Sequence, residues 1–168
     1  MSSARHAARV LVIDETDQIL LIRGQDPSRP EIGSWWYAPG GGLEPGESHS
    51  EAASRELWEE TGLRAVIDKD PIWQREVQFT FNGVEYLQRE IYFLLRTKSF
   101  QPIPQVLSEL EKVSLLEPKW WSQEELLTLP DLIYPNAIRS EFEYLLSAGE
   151  KSLSKCSNQT TCAQFGFS

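Results

Sequence analysis

Gly41, Glu47, Arg55, Glu56, Leu57, Glu59, Glu60, Gly62 and Leu63 form a string whose acidic members are the first candidates for chemistry. At about 100° per residue on a helix, Glu56, Glu59 and Glu60 fall within an arc of roughly 100°. They share that half of the helix with Ala52, Ala53 and Leu57, whereas Glu51, Ser54, Arg55 and Trp58 occupy the other half. A helix that only covers a sheet turns apolar residues inward and charges outward, so three carboxylates on the alanine side need another account. Like charges about 6 Å apart repel by roughly 3 kcal/mol per pair at an effective dielectric near 20, and the negative end of the helix macrodipole adds to the cost. Bound protons or a bound cation relieve it. Oxygen donors suit Mg²⁺ or Mn²⁺, whereas zinc prefers His and Cys. The chain has only His6 and His49, and its two cysteines, Cys156 and Cys162, sit in its last dozen or so residues. For an isolated Glu-x-x-Glu-Glu the ordinary reading is a solvated acidic face, since Glu is a good helix former. The whole string overturns it: seven fixed residues at fixed spacings recur by chance on the order of once in 10⁸ start positions.

These residues have to be positioned by the elements around them. Ser48 followed by Glu51 is a capping box and Gly62 stands where a helix would end, so a helix is predicted over 49–61. Ahead of it, Arg9–Ile13 and Ile19–Ile22 flank a polar turn as a β-hairpin. A Gly/Pro/Ser/Asp loop follows over 24–34, and Trp35-Trp36-Tyr37 forms a short strand running into Pro39-Gly40-Gly41-Gly42. Two longer strands are predicted over about 72–81 and 84–97, joined by Asn82-Gly83, a strong hairpin signal. Residues 98–116 read as a long loop and Glu117–Trp121 as a last short strand. Ser122 and Glu125 cap a brief helix, and a final helix covers 135–147. The irregular alternation of strands and helices, with two hairpins, predicts an α/β fold with a mixed sheet covered by helices. One domain is expected over 1–148, with 149–168, rich in Ser, Thr and Lys, as a flexible tail.

Composition bounds what such a domain can do. The 168 residues, 40% hydrophobic and 24% charged, suit one well-filled core. The longest apolar run, Ile91–Leu95, is far short of the roughly 20 residues of a membrane helix. No apolar leader follows Met1, and two late cysteines cannot staple a core, so a cytoplasmic setting is the default. A net charge of −9 disfavours duplex nucleic acid as a partner, and implies that a polyanionic substrate needs cations from outside the chain.

The string Gly41–Leu63 resembles the box of the Nudix hydrolases, G-x5-E-x7-R-E-U-x-E-E-x-G-U with U aliphatic, at every fixed position. Trp36 ahead of Pro39-Gly40-Gly41 and the late Trp120-Trp121-Ser122 are similar to the family's layout, which extends over about residues 5–147. The resemblance implies a Nudix-type α/β/α sandwich and divalent-metal-dependent pyrophosphohydrolysis of a nucleoside diphosphate linked to a group X. By the same resemblance Glu56, Glu59 and Glu60 are metal ligands and the Gly40 carbonyl an additional one. Glu47 and Arg55 act as orienting groups, pairing with each other or with loop backbone. Gly41, Gly42 and Trp36 are assigned to the substrate, against a simple tight turn for the glycines and core packing for the tryptophan.

The general base stays open among Glu56, Glu90, Glu109 and Glu111, each of which could equally be an ordinary surface carboxylate. No subclass pattern outside the box is met, which leaves a nucleoside triphosphate or similar small nucleotide as the default substrate. Small-molecule binding with no membrane or duplex partner follows, and a homodimer is compatible with the sequence. The competing reading is a Nudix-fold sensor that binds a nucleotide without cleaving it. An intact trio of mutually repelling glutamates argues for the enzyme.

Overall fold

The computed structural model describes residues 4–68 and 70–154. Strands β1 (Arg5–Ile13) and β2 (Ile19–Gln25) form the first hairpin, followed by a 3-10 turn at Pro30–Ile32, β3 (Ser34–Tyr37) and β4 (Gly40–Gly42). Helix α1 (His49–Thr61) comes next, then β5 (Trp73–Phe81) and β6 (Val84–Arg96), α2 (Glu111–Ser114), β7 (Leu115–Trp121) and α3 (Gln123–Thr128). Strand β8 (Leu132–Tyr134) and helices α4 (Ala137–Ser140) and α5 (Phe142–Ser154) complete the described chain.

The strands make one mixed sheet in the order β5-β6-β1-β2-β3-β8, with β4 also on β1 and β7 also on β2. Strand β1 runs parallel to β6 along its length, from Arg5 beside Gln88 to Ile13 beside Arg96. Its other edge is shared: Ala7–Arg9 pair with β4, and Val12 and Ile13 with β2. That split carries the glycine strand off the β1 edge.

Side-chain alternation along β1 builds a core on each face. Val10 and Val12 pack with Ala52, Ala53 and Leu57 of α1. Leu11 and Ile13 pack with Trp36, Trp121, Ile138, Phe142 and Leu145 under α3–α5. The molecule is therefore the helix–sheet–helix sandwich that the sequence predicts. The ends of α1 also agree: Ser48 and Glu51 make both capping-box bonds, and Gly62 closes the helix in the left-handed region at φ 80°. At the β5–β6 turn, Asn82 and Gly83 both have positive φ, 49° and 75°, as a two-residue hairpin of this type requires.

Four expectations are corrected. Strand β7 is not the last, because Leu132–Tyr134 adds parallel to β3 as β8; a strand of three residues is too short for a period-2 signal. The helix expected over 135–147 is two helices, broken where Glu141 leaves helical geometry (φ −108°, ψ 17°). Neither Pro nor Gly marks that joint in the sequence. Helix α5 then continues to Ser154, so the expected start of the tail at 149 falls inside a helix. The remainder of that segment, with Cys156 and Cys162, lies outside the described residues. The 98–116 loop also contains one short helix, α2. Among the described residues no helix is long and apolar enough to cross a membrane.

Candidate metal and active site

Helix α1 and strand β4 make the site by packing the α1 carboxylates directly against glycine backbone. The N–H of Gly40 donates to Glu60 Oε2 at 2.8 Å. Gly40 sits at φ 142°, and a Cβ there would run into the backbone of Ala8 and Arg9. Gly41 lies against the Glu56 carboxyl so closely that a Cβ would stand 2.6 Å from Cδ and 2.9 Å from Oε2. Only glycine lets the two elements approach this far.

Arg55 holds the entry to the helix. Its Nε donates to Glu47 Oε1 at 2.8 Å, and Nη2 donates to Glu47 Oε2 and to the Gly42 carbonyl, both at 3.0 Å. Nη1 donates to Glu56 Oε1 at 3.0 Å and to Glu59 Oε2 at 3.2 Å. The expected pairing with Glu47 and loop backbone is present. The contacts to Glu56 and Glu59 were not foreseen, because a helical wheel places Arg55 on the far half and ignores the reach of its side chain.

A third carboxylate arrives from far along the chain. The last carbonyls of α1, which have no partner within the helix, accept from the 98–116 loop. Ile103 N donates to Thr61 O at 2.9 Å and Gln105 N to Glu59 O at 2.7 Å. This anchoring brings α2 over the helix, and oxygens of Glu56, Glu60 and Glu111 lie within 4.8 Å of one another. Glu59 stands beside this cluster on its Arg55 contact.

Glu56 and Glu60 are 7% and 4% exposed. Burial pushes the Glu56 carboxyl above the usual range, with Arg55 opposing and Glu59 and Glu111 adding to the rise. Burial and then Glu56 push Glu60 well above it, against the Gly40 N–H and Arg9. Glu47 is held low, chiefly by its bonds to Arg55. The half-buried Tyr37 has its phenol pushed well up by desolvation and by Glu60, and adjoins the same charges. A buried group of carboxylates that resist ionisation together can take up protons or hard cations. Its all-oxygen donor set fits Mg²⁺ or Mn²⁺.

Several predicted residues lie elsewhere. Trp36 is 4% exposed, packs edge-on against Trp121 and donates Nε1 to Asp131, so it offers no face to a substrate and belongs to the core. Glu109 has a 90% exposed side chain paired with Lys112. Glu90 is buried in a network with Arg9, Arg75, Gln88 and Tyr92. Burial works against its charge, but Arg9 and then Arg75 hold its pKa down to about 2. The Gly40 carbonyl accepts from Arg9 Nη1 at 3.1 Å, which leaves its second lone pair for a cation. Arg9 and Tyr37 were missed. The available signal was a charged residue alternating with Leu11 and Ile13 in an otherwise apolar strand.

Comparison with known proteins shows the family to which this fold and sequence are similar. A family model described as the NUDIX domain matches residues 4–140. A provisionally named 8-oxo-dGTP diphosphatase of Bacillus subtilis is 44% identical over 69 residues, 40% of this chain and 42% of that protein. An RNA pyrophosphohydrolase of Rhodopseudomonas palustris is 36% identical over 109 residues, 60% of this chain and 64% of its own length. The chain thus spans less than two thirds of either relative. Among solved structures, a MutT protein from Methanosarcina mazei superposes with a TM-score of 0.63 at 26% identity, covering 89% of this chain and 97% of that one.

Proposed function

Because the chain belongs to the Nudix family, we propose that it is a divalent-metal-dependent pyrophosphohydrolase that cleaves a phosphoanhydride bond in a nucleoside diphosphate derivative. The observation that carries this reading is the convergence of Glu56, Glu60 and Glu111 oxygens within 4.8 Å in a largely buried cluster. Those three, with Glu59 alongside, would hold Mg²⁺ or Mn²⁺. When bound, such a cation neutralises phosphate charge and makes a nearby water a better nucleophile at neutral pH.

The chain's own groups do the rest. Arg55 fixes the direction of Glu47, Glu56 and Glu59 at once, so the carboxylates are aimed before any ligand arrives. The Gly40 N–H pins Glu60. The proton of the attacking water goes to Glu111 or Glu56. Of the four candidate bases, Glu90 is committed to four hydrogen bonds and a pKa of about 2, and Glu109 points to solvent. Glu111 is the better candidate, because it is part-exposed at the rim of the cluster and comes from a separate element.

A nucleoside triphosphate or similar small nucleotide is the proposed substrate, in line with the name of the Bacillus relative. The Rhodopseudomonas relative's name adds RNA as a second substrate to test. The experiment is a panel of nucleoside triphosphates, 8-oxo-dGTP, dinucleotides and 5′-triphosphorylated RNA with Mg²⁺ or Mn²⁺, products being identified by mass. Metal-dependent release of phosphate or pyrophosphate supports the enzyme. Tight nucleotide binding with no cleavage at any metal concentration would refute it in favour of a sensor.

A further inference from the structure

Two arginines of this family member are organised in different ways. All five donor hydrogens of Arg55 are directed at protein acceptors: one on Nε, two on Nη1 and two on Nη2. Arg9 is held as firmly but is not used up. Its Nε donates to Glu90 Oε1 at 2.9 Å, and Nη1 donates to the carbonyls of Ala38 and Gly40, both at 3.1 Å. Its guanidinium lies over the Tyr37 ring, 5.3 Å from the centroid. Nη2 donates to no group among the described residues, and the side chain keeps 16% of its surface exposed.

The carboxylate beneath it is saturated. Glu90 Oε1 also accepts from Gln88, and Oε2 accepts from Arg75 Nε and from the Tyr92 hydroxyl, both at 2.6 Å. One buried anion therefore supports two guanidiniums, a local excess of one positive charge inside a chain of net −9. This excess adjoins the carboxylate cluster: the Gly40 carbonyl accepts from Arg9, and the N–H of the same residue donates to Glu60. A pre-oriented guanidinium edge with free donors matches phosphate oxygens. An arginine serving only to neutralise Glu90 has no need of a free edge at that spot.

We propose that Arg9 contacts a phosphate group of the substrate through Nη2, and that Glu90 is the positioning residue that holds it there. The assignment rests on the pyrophosphohydrolase reading for the identity of the anion. It divides the labour between the two sides of Gly40: Glu60 and its neighbours face the cation, and Arg9 faces the phosphate.

The test uses the full chain and the variants Arg9→Gln and Arg9→Lys, with folding followed by thermal melting. Mn²⁺ alone is titrated by electron paramagnetic resonance, inorganic pyrophosphate by calorimetry at saturating Mn²⁺, and turnover on the best nucleotide is split into KM and kcat. In Arg9→Gln, Mn²⁺ affinity is unchanged or tighter, because a cation beside Glu60 has gone. Pyrophosphate binding weakens about 10- to 100-fold, the range for losing a charge-assisted hydrogen-bonding group, and KM rises in step while kcat falls less. Arg9→Lys keeps the charge beside Glu90 but loses the fork, so it melts close to the wild type and loses pyrophosphate affinity by several-fold. It decides the matter if Arg9→Gln does not fold. Unchanged pyrophosphate affinity, or a fall in Mn²⁺ affinity that accounts for the loss, overturns the assignment. A wild type that cleaves nucleotides while Arg9→Gln matches it removes this inference alone. A wild type that binds pyrophosphate through Arg9 yet cleaves nothing removes the hydrolase reading alone, and one that binds no pyrophosphate removes the phosphate contact.

Discussion

Gly41→Ala is the sharpest perturbation the site allows. A Cβ at Gly41 would stand 2.6 Å from Glu56 Cδ, whereas unbonded carbons settle at about 3.5–4.0 Å. Something must therefore yield by about 1 Å. The backbone of β4 is tied to β1 on one side and to Glu60 on the other, so the Glu56 carboxyl is the part that moves, and its 3.0 Å bond to Arg55 lengthens or breaks. Overpacking of this kind costs about 1–3 kcal/mol, a drop of roughly 2–12 °C in Tm for a chain of this size. A misplacement near 1 Å at a reacting centre costs about 10²-fold in rate. The assay is turnover and Mn²⁺ affinity of Gly41→Ala beside Gly83→Ala, which lies in the β5–β6 hairpin turn at φ 75° with open space around its Cβ position. Gly83→Ala is expected to lose about 1–2 kcal/mol from left-handed backbone strain and to keep its turnover. If Gly41→Ala melts lower yet turns over and binds Mn²⁺ like the wild type, the contact with Glu56 does not set the site's geometry.

Other consequences can be measured separately. Glu60→Gln and Glu59→Gln should each weaken metal binding and cut turnover by at least about 10²-fold, the scale of one catalytic group; unchanged turnover in both contradicts the site. Glu56 and Glu60 ionise reluctantly, so Mn²⁺ must displace protons: affinity should keep rising as pH is raised above the ordinary carboxylate range, with proton release visible as a buffer-dependent heat. A pH-independent affinity would contradict the burial argument. For Glu90 the folded pKa of about 2 lies below the ordinary 4.5, so its contribution is fully present above about pH 4.5 and is lost as pH falls toward 2. That difference is worth about 3 kcal/mol. Urea midpoints measured across this window should fall less steeply in Glu90→Gln than in the wild type.

What could be read from the sequence was what neighbouring residues decide. Ser48, Glu51 and Gly62 set both ends of α1 because capping and left-handed closure are local, and Asn82-Gly83 set the hairpin for the same reason. The clustering of Glu56 and Glu60 followed from helical spacing alone. Glu111 could be no more than one candidate among four, since the bonds that carry its loop to α1 run from backbone N–H groups of Ile103 and Gln105 to the carbonyls of Thr61 and Glu59. Any side chains permit such bonds. Glu90 looked available for the opposite reason: its partners Arg9, Arg75 and Tyr92 come together only when β1, β5 and β6 pair. Trp36 was ambiguous because an aromatic in a short strand packs or stacks with equal ease until the opposing layer, here Trp121 and Asp131, is known.

In the proposed enzyme three carboxylates from two distant segments share one dication, and anomalous diffraction from crystals soaked in Mn²⁺ tests this most directly. A peak bonded to oxygens of Glu56, Glu60 and Glu111, at the roughly 2 Å typical of small divalent cations, is the expected result. Manganese found only at surface carboxylates, with those three side chains unliganded, would contradict it.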